Sequence, residues 1–455
     1  MSKNIRLKRG LDLNLAGKPQ PHVSADIHPE VCSVKPTDFL GIGRQKVLVQ
    51  EGDTVKAGTP VFNSKTFPRM MFTAPVSGEV VEIERGAKRK LIAVKILADQ
   101  TTDYEAFTRY TPSDLNSISR EAATEQLLDS GLWPHLLQRP FNTVADPDTT
   151  PKAIFMSGFD THPLAPNLEF ACRGDEQYLQ AGVNVLRKFT TGTFHVNLSV
   201  DTEASSPFAQ LEGVQINRFA GKHPAGCVGV QIHHLDPMNK GEVAWTISPQ
   251  GVIQIGKLFL DGRVDTRRLV ALSGSEVTKP QYYRLPGGAS IKKLVESTLK
   301  QENVRFVSGN PLTGYRMNID EGIGYYHNQV SVLPEGNHSR FLGWIVPVKE
   351  KISFQRAFGL LSYLNPKTKE YVLDTNTNGE ERAFVQTGLM ERVLPMDIYV
   401  EYLLKAIMAQ DYDEMEALGI YEVVEEDLAL CEFIDVSKMD VQAILREGLE
   451  LMRTS

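Results

Sequence analysis

The histidines carry the most obvious chemistry in this chain. His223-Pro224-Ala225-Gly226 and His233-His234-Leu235-Asp236-Pro237 lie close together, and imidazole both ligates metals and titrates near neutral pH. The run between them, Val228–Ile232, reads as a strand, and neighbours on a strand point to opposite faces. His233 and His234 then cannot easily share one metal. No Glu stands at the spacing of a zinc protease helix. No metal site is therefore expected, and these histidines read as packing or hydrogen-bonding groups at strand ends. A second cluster, Asp160-Thr161-His162-Pro163-Leu164-Ala165-Pro166, directly follows the buried-strand pattern Ala153–Met156. In an open α/β sheet the loop at the carboxyl end of a strand is where ligands sit. The competing reading is a connection stiffened by its prolines.

Other candidates are weaker. Lys65 lies in Asn63–Met71, where a biotinyl or lipoyl carrier would present its modified lysine. The acid before that lysine and the small apolar residue beside it are both missing, so Lys65 reads as a solvated surface residue. Gly41-Ile42-Gly43-Arg44 lacks the third glycine and the strand–helix context of a dinucleotide site. Cys32, Cys172, Cys227 and Cys431 are far apart in sequence. They form no C-x-x-C motif, so no zinc ribbon or ferredoxin-type cluster is encoded locally. No residue stands out as an acid, base or nucleophile.

The elements that must hold these residues suggest an α+β multidomain chain. Its 455 residues, 42% hydrophobic and 23% charged, imply more than one domain. A net charge of −7 argues against a nucleic-acid partner. No apolar run reaches the ~18 residues of a membrane span, and the start MSKNIRLKRG lacks the apolar core of a signal peptide. A cytoplasmic location is expected. Val47–Leu97 alternates β-rich runs with Gly-containing turns, the pattern of a barrel-sandwich (lipoyl-like) module. Residues 101–118 read as a polar connector. Ser119–Leu128 and Asp175–Phe189 read as helices, and Ala153–Met156, Thr193–Val200 and Val214–Phe219 as strands, an alternation that argues for a mostly parallel Rossmann-like sheet. Arg268–Ser273, Gln281–Leu285 and a helix Ile291–Leu299 fit a β-grasp unit. Apolar residues from Met396 and again from Val441 recur at i, i+3, i+4 and predict C-terminal helices. Ser437–Asp440 reads as a capping box for the second. The expected divisions are 1–104, 105–255, 256–345 and 346–455.

In order and spacing, several motifs resemble one family. They include Arg9-Gly10-Leu11-Asp12-Leu13, GDTVKAG…APVSGEVVEI, Ser130-Gly131-Leu132-Trp133, Arg139-Pro140-Phe141, Phe219–Gly226, His233–Pro237, Ile255–Phe259, Tyr326–Val332 and Asp427–Cys431. Together they resemble NqrA, the A component of the bacterial Na+-translocating NADH:quinone reductases (Nqr). That family is similar in architecture to the flavin-binding subunit of complex I and to the C component of the Rnf complex, which implies an SLBB-like β-grasp domain at 256–345. Where those relatives carry a Gly-rich flavin cradle, this chain reads Gly131-Leu132-Trp133-Pro134-His135-Leu136-Leu137. Cys431 stands alone, with Asp435 where many NqrA sequences have a second Cys.

The resemblance thus implies a subunit with no flavin, cluster or covalently bound cofactor of its own. FMN, FAD and 2Fe-2S are then expected only in sister subunits. It implies a peripheral place on the cytoplasmic face of the inner membrane, membrane-embedded partner subunits, and a part in the quinone end of the complex. Candidate quinone contacts are Trp133, Phe141 and Phe159 as walls and His135 and His162 as donors. The alternative is that the large aromatics simply fill the old cofactor cavity. A stand-alone flavin-dependent NADH dehydrogenase, or the C component of an Rnf-type complex, is the rival function.

Overall fold

Two small sheets form between Val31 and Ala98. In the computed structural model, which describes residues 2–24, 26–338, 341–342, 350–352, 354, 364–366 and 368–454, they face one another as a sandwich. One is four-stranded (Val31–Val34, Leu91–Ala98, Gly78–Arg85, Thr54–Val55) and the other three-stranded (Gln45–Val47, Pro60–Ser64, Met71–Thr73). Phe62, Phe72, Val80, Val94 and Ile96 fill the space between them. The Phe62 and Phe72 rings stack at 4.7 Å. Gly78 enters its strand at φ +151, and a Cβ there would stand 1.9 Å from the Leu97 carbonyl oxygen, so only glycine fits. Lys65 is exposed in the turn after Pro60–Ser64.

The central module is a seven-stranded sheet in the order Asn4–Arg6, Gln215–Ala220, Thr193–Ser199, Ala153–Ser157, Ala244–Thr246, Leu137–Arg139, Thr143–Val144. The first five are parallel to one another, Leu137–Arg139 runs antiparallel to Ala244–Thr246, and Thr143–Val144 runs antiparallel to Leu137–Arg139. The first strand comes from the extreme N-terminus, ahead of the sandwich. It enters the sheet although residues 1–104 were expected as one module. The order of the parallel strands reverses between Ala153–Ser157 and Ala244–Thr246, the kind of position where open α/β sheets bind ligands. Helices Glu176–Leu186 and Pro249–Asp261 cross with backbones nearly touching: a Cβ on Gly182 would meet the Val252 carbonyl oxygen at 2.1 Å, and one on Gly256 the Tyr178 carbonyl oxygen at 1.9 Å. The expected boundary at 255–256 falls inside this second helix.

Three expectations are corrected here. Val228–Ile232 is not a strand but part of the helix Val228–Leu235, because a short apolar run fits either period until its packing is known. His233 and His234 thus end a helix. His233 Nδ1 lies 2.7 Å from Glu422 and His234 Nε2 2.8 Å from the Pro395 carbonyl oxygen, both in the C-terminal part. The helix expected over Ile291–Leu299 is only the single turn Lys292–Val295. The start of the last helix is capped by Asp440, which accepts from the Ala443 N–H at 3.1 Å, rather than by Ser437.

The third module is a five-stranded sheet ordered Gln281–Leu285, Arg268–Ser273, Gln329–Pro334, Val304–Ser308, Tyr315–Met317, with a parallel pair in the middle. The boundary expected at 345–346 lies outside the described residues. Beyond it, helices Val400–Ala409, Tyr412–Ala417, Glu425–Ile434 and Val441–Thr454 build a second core around Leu403, Leu428, Leu445 and Leu449. Leu7, Leu13 and Leu15 from the N-terminus and Phe219, Cys227 and Val230 from the central module join that core.

Candidate functional site

The five residues singled out as quinone contacts divide into two groups, packed against different cores. Trp133 and His135 stand on a short 3-10 turn, Trp133–His135, after the helix Arg120–Asp129. Trp133 is 0% exposed and its ring meets Phe189 and Trp245 edge-on at 5.5 and 5.6 Å. Its Nε1–H donates to the Ala145 carbonyl oxygen at 2.8 Å. An indole so enclosed and satisfied acts as packing, not as a wall open to a ligand. His135 is also buried. Its Nε2 lies 3.0 Å from Gln254 Oε1 and its ring faces Tyr325 at 4.8 Å. Burial pushes its pKa down to about 3, so the ring is neutral.

Gln254 and Tyr325 line a cleft where the sandwich, the parallel-sheet module and the β-grasp module meet. Counting its open mouth, the cleft occupies about 530 Å³. Phe39, Phe72 and Tyr325 supply apolar walls. Three buried polar atoms on the lining residues lack a hydrogen-bond partner: Ser33 Oγ, Gln254 Nε2 and Tyr325 Oη. Below them Arg268 donates to the Gly324 and His327 carbonyl oxygens at 3.1 and 2.9 Å. Asp38 accepts from the Tyr325 backbone N–H at 2.9 Å. Burial raises the Asp38 carboxyl above its usual range, partly offset by the nearby Lys35 charge. None of Ser33, Gln254 or Tyr325 was legible as a site residue. They come from three modules, and only their unpaired atoms mark them.

Phe141, Phe159 and His162 lie on the other side, toward the helical C-terminal part. The Phe141 ring meets Tyr421 at 6.0 Å, and Phe159 packs against the second core. His162 Nδ1 lies 2.7 Å from Asp160 Oδ1. Burial opposes a charge on this ring, but Asp160 prevails and raises its pKa. Here the Asp160–Pro166 loop at the carboxyl end of Ala153–Ser157 meets the loop after Gln215–Ala220. The Gly226 N–H donates to Thr161 Oγ1 at 2.9 Å, and His162 and His223 face each other at 4.6 Å.

The chain's similarities follow the same modular plan. Residues 5–99 match the NqrA N-terminal barrel-sandwich hybrid domain, 118–264 the NqrA second alpha/beta domain, and 269–318 the NQRA C-terminal domain. The NqrA protein of the Na(+)-translocating NADH-quinone reductase of Rhodopirellula baltica is 38% identical over 449 residues, covering 98% of this chain and 97% of that protein. Its counterpart in Serratia proteamaculans is 39% identical over 448 residues, 98% of either chain. The counterpart in Neisseria meningitidis is 37% identical over the same length and coverage. The expected barrel-sandwich, α/β and SLBB-type modules with a helical C-terminal region are thus all present, and the chain belongs to the NqrA family of Na+-translocating NADH-quinone reductase subunits.

Proposed function

We propose that this chain works as a peripheral subunit of a sodium-pumping NADH:quinone reductase, an oxidoreductase complex, and that it contributes to the quinone end and to assembly without a redox cofactor of its own. The identity along nearly the whole length supports membership of that complex. On this reading FMN, FAD and 2Fe-2S reside in sister subunits, membrane-embedded subunits hold the chain at the cytoplasmic face, and the isolated chain is not catalytic. Among the described residues no helix is long and apolar enough to cross a membrane.

The absence of a flavin rests on the segment where a cradle would stand. A cradle needs free backbone N–H groups to meet a phosphate. Those of Gly131, Leu132, His135 and Leu136 already donate to the Leu128, Leu127, Leu132 and Trp133 carbonyl oxygens. The Trp133 ring lies in the core beside them.

Quinone contact rests on the three-module cleft. A quinone ring wants flat apolar walls and donors for its carbonyl oxygens. Phe39, Phe72 and Tyr325 offer the walls, and Ser33, Gln254 and Tyr325 the unpaired polar atoms, with His135 positioning Gln254 from behind. Tyr325→Phe removes one hydroxyl and keeps the wall. In the assembled complex it should raise the KM for quinone about tenfold, the ~1.4 kcal/mol of one hydrogen bond. NADH oxidation by an artificial acceptor should stay normal. Unchanged quinone kinetics in an intact complex would remove this cleft from the quinone path.

A further inference from the structure

Three ligand-type side chains that are scattered in sequence meet where the parallel sheet abuts the C-terminal helices. His162 comes from the loop after Ala153–Ser157, His223 from the loop after Gln215–Ala220, and Cys227 caps the helix Val228–Leu235. One potential ligand atom from each lies within 4.8 Å of the other two. His162 Nε2 is 3.7 Å from Cys227 Sγ. Two ligands on a tetrahedral zinc ion, with Zn–N of about 2.0–2.1 Å and Zn–S of about 2.3 Å, stand roughly 3.6 Å apart. His223 and Cys227 are only 1% and 2% exposed.

The surroundings orient these groups as a metal site requires. Asp160 Oδ1 sits 2.7 Å from His162 Nδ1 and accepts from the His162 backbone N–H at 2.8 Å. A proton held on Nδ1 leaves the Nε2 lone pair facing Cys227, the arrangement of a carboxylate–histidine–metal triad. Thr161 Oγ1 lies 3.2 Å from His223 Nδ1 and can play the same part there. His223 Nε2 is buried with no hydrogen-bond partner. A purely structural histidine would leave that buried polar atom unpaired, which is unfavourable. The loops are locked together, since a Cβ on Gly226 would stand 2.7 Å from the Thr161 nitrogen. Asp427, on the facing helix Glu425–Ile434, has a buried Oδ1 without a partner, while Arg139 lies 3.6 Å from its other oxygen and 2.8 Å from Glu426.

We propose that His162, His223 and Cys227 bind a single zinc-type divalent ion, whose fourth position is left to water. Two imidazoles and a thiolate select zinc-like ions over magnesium or calcium, which prefer oxygen. The ion would tie the loop after Ala153–Ser157 to the loop after Gln215–Ala220 and to the start of the helix Val228–Leu235.

The test uses the full-length chain, stripped with a chelator and dialysed against zinc or cobalt. Metal analysis should return one zinc per chain. Cobalt should give tetrahedral visible bands and a thiolate-to-cobalt charge-transfer band in the near ultraviolet. Cys227→Ser should abolish the charge-transfer band, and His223→Gln should weaken zinc binding at least about 100-fold, beyond the usual loss of an outer-shell partner. Circular dichroism checks that both variants fold, and the wild-type cobalt spectrum decides the matter if they do not. Overturning results are no zinc retained by the wild type, a cobalt spectrum without the sulfur band, or equal zinc affinity in wild type and folded variants.

Discussion

His135 shows at the scale of one residue what burial does to a side chain. It is enclosed beside Gln254, Tyr325 and Gly251, and no carboxylate supports a charge on it. Its folded pKa of about 3 lies far below the ordinary 6.5. Protons therefore bind the unfolded chain first. The stability that neutral His135 contributes is fully present above pH 6.5 and is lost as pH falls toward 3, at up to about 1.4 kcal/mol per pH unit. At pH 5 the loss is about 2 kcal/mol. Urea unfolding of wild type and His135→Gln at pH 7 and pH 5 should show the wild type losing that much more than the variant. Parallel losses in both would show that the ring is not held neutral. The sequence marks His135 as a chemical group, but Gln254 and Tyr325 lie 119 and 190 positions away, and no local pattern joins them to it.

Among the elements, the crossing of Glu176–Leu186 on Pro249–Asp261 is the most demanding contact of the central module. Gly182 and Gly256 let the two backbones approach to a distance no side chain allows. Gly256→Ala should destabilise the chain by about 3 kcal/mol or more, at the upper end of overpacking costs. Gly52→Ala is the control: φ is +91 but nothing lies within 4 Å of a Cβ there. It should cost only the about 1–2 kcal/mol of a left-handed backbone. Thermal unfolding of both variants checks the order, and equal losses would mean that the crossing yields. At this scale the sequence reads well where a period is long. The helix Glu176–Leu186 and the strand Thr193–Ser199 match expectation to within a few residues. The five residues Val228–Ile232 fit either period, and the helix Val228–Leu235 they enter depends on packing between the sheet and the second core.

For the whole molecule, the N-terminal segment joins parts that the chain order separates. Asn4–Arg6 adds a strand to the central sheet, and Leu7, Leu13 and Leu15 enter the C-terminal core. The proposed peripheral role has a direct consequence. The purified chain should sediment with membranes only when its partner subunits are present, and it should show no flavin or iron–sulfur absorbance. Binding to protein-free liposomes as tightly as to native membranes, or stoichiometric flavin or iron with acid-labile sulfide, would overturn that role. Zinc is colourless, so the spectrum leaves the His162–His223–Cys227 site to its own test.

The sequence by itself determined the kinds of module and their order. The turn glycines of the sandwich, the strand–helix alternation and the C-terminal heptad-like spacing are local patterns, each set by backbone sterics or by one buried face. Family membership was likewise legible, in short motifs spread from Arg9 to Cys431. Only the tertiary structure decided which residues meet. It enclosed Trp133 between Phe189 and Trp245, separated it from Phe159 and His162, gathered unpaired polar atoms of Ser33, Gln254 and Tyr325 around one cleft, and set Cys227 beside His162 and His223. The physical reason is that these neighbours belong to different strands and helices. Their proximity comes from the parallel order of the sheet and from side-chain packing between modules, and neither leaves a periodic trace in the chain.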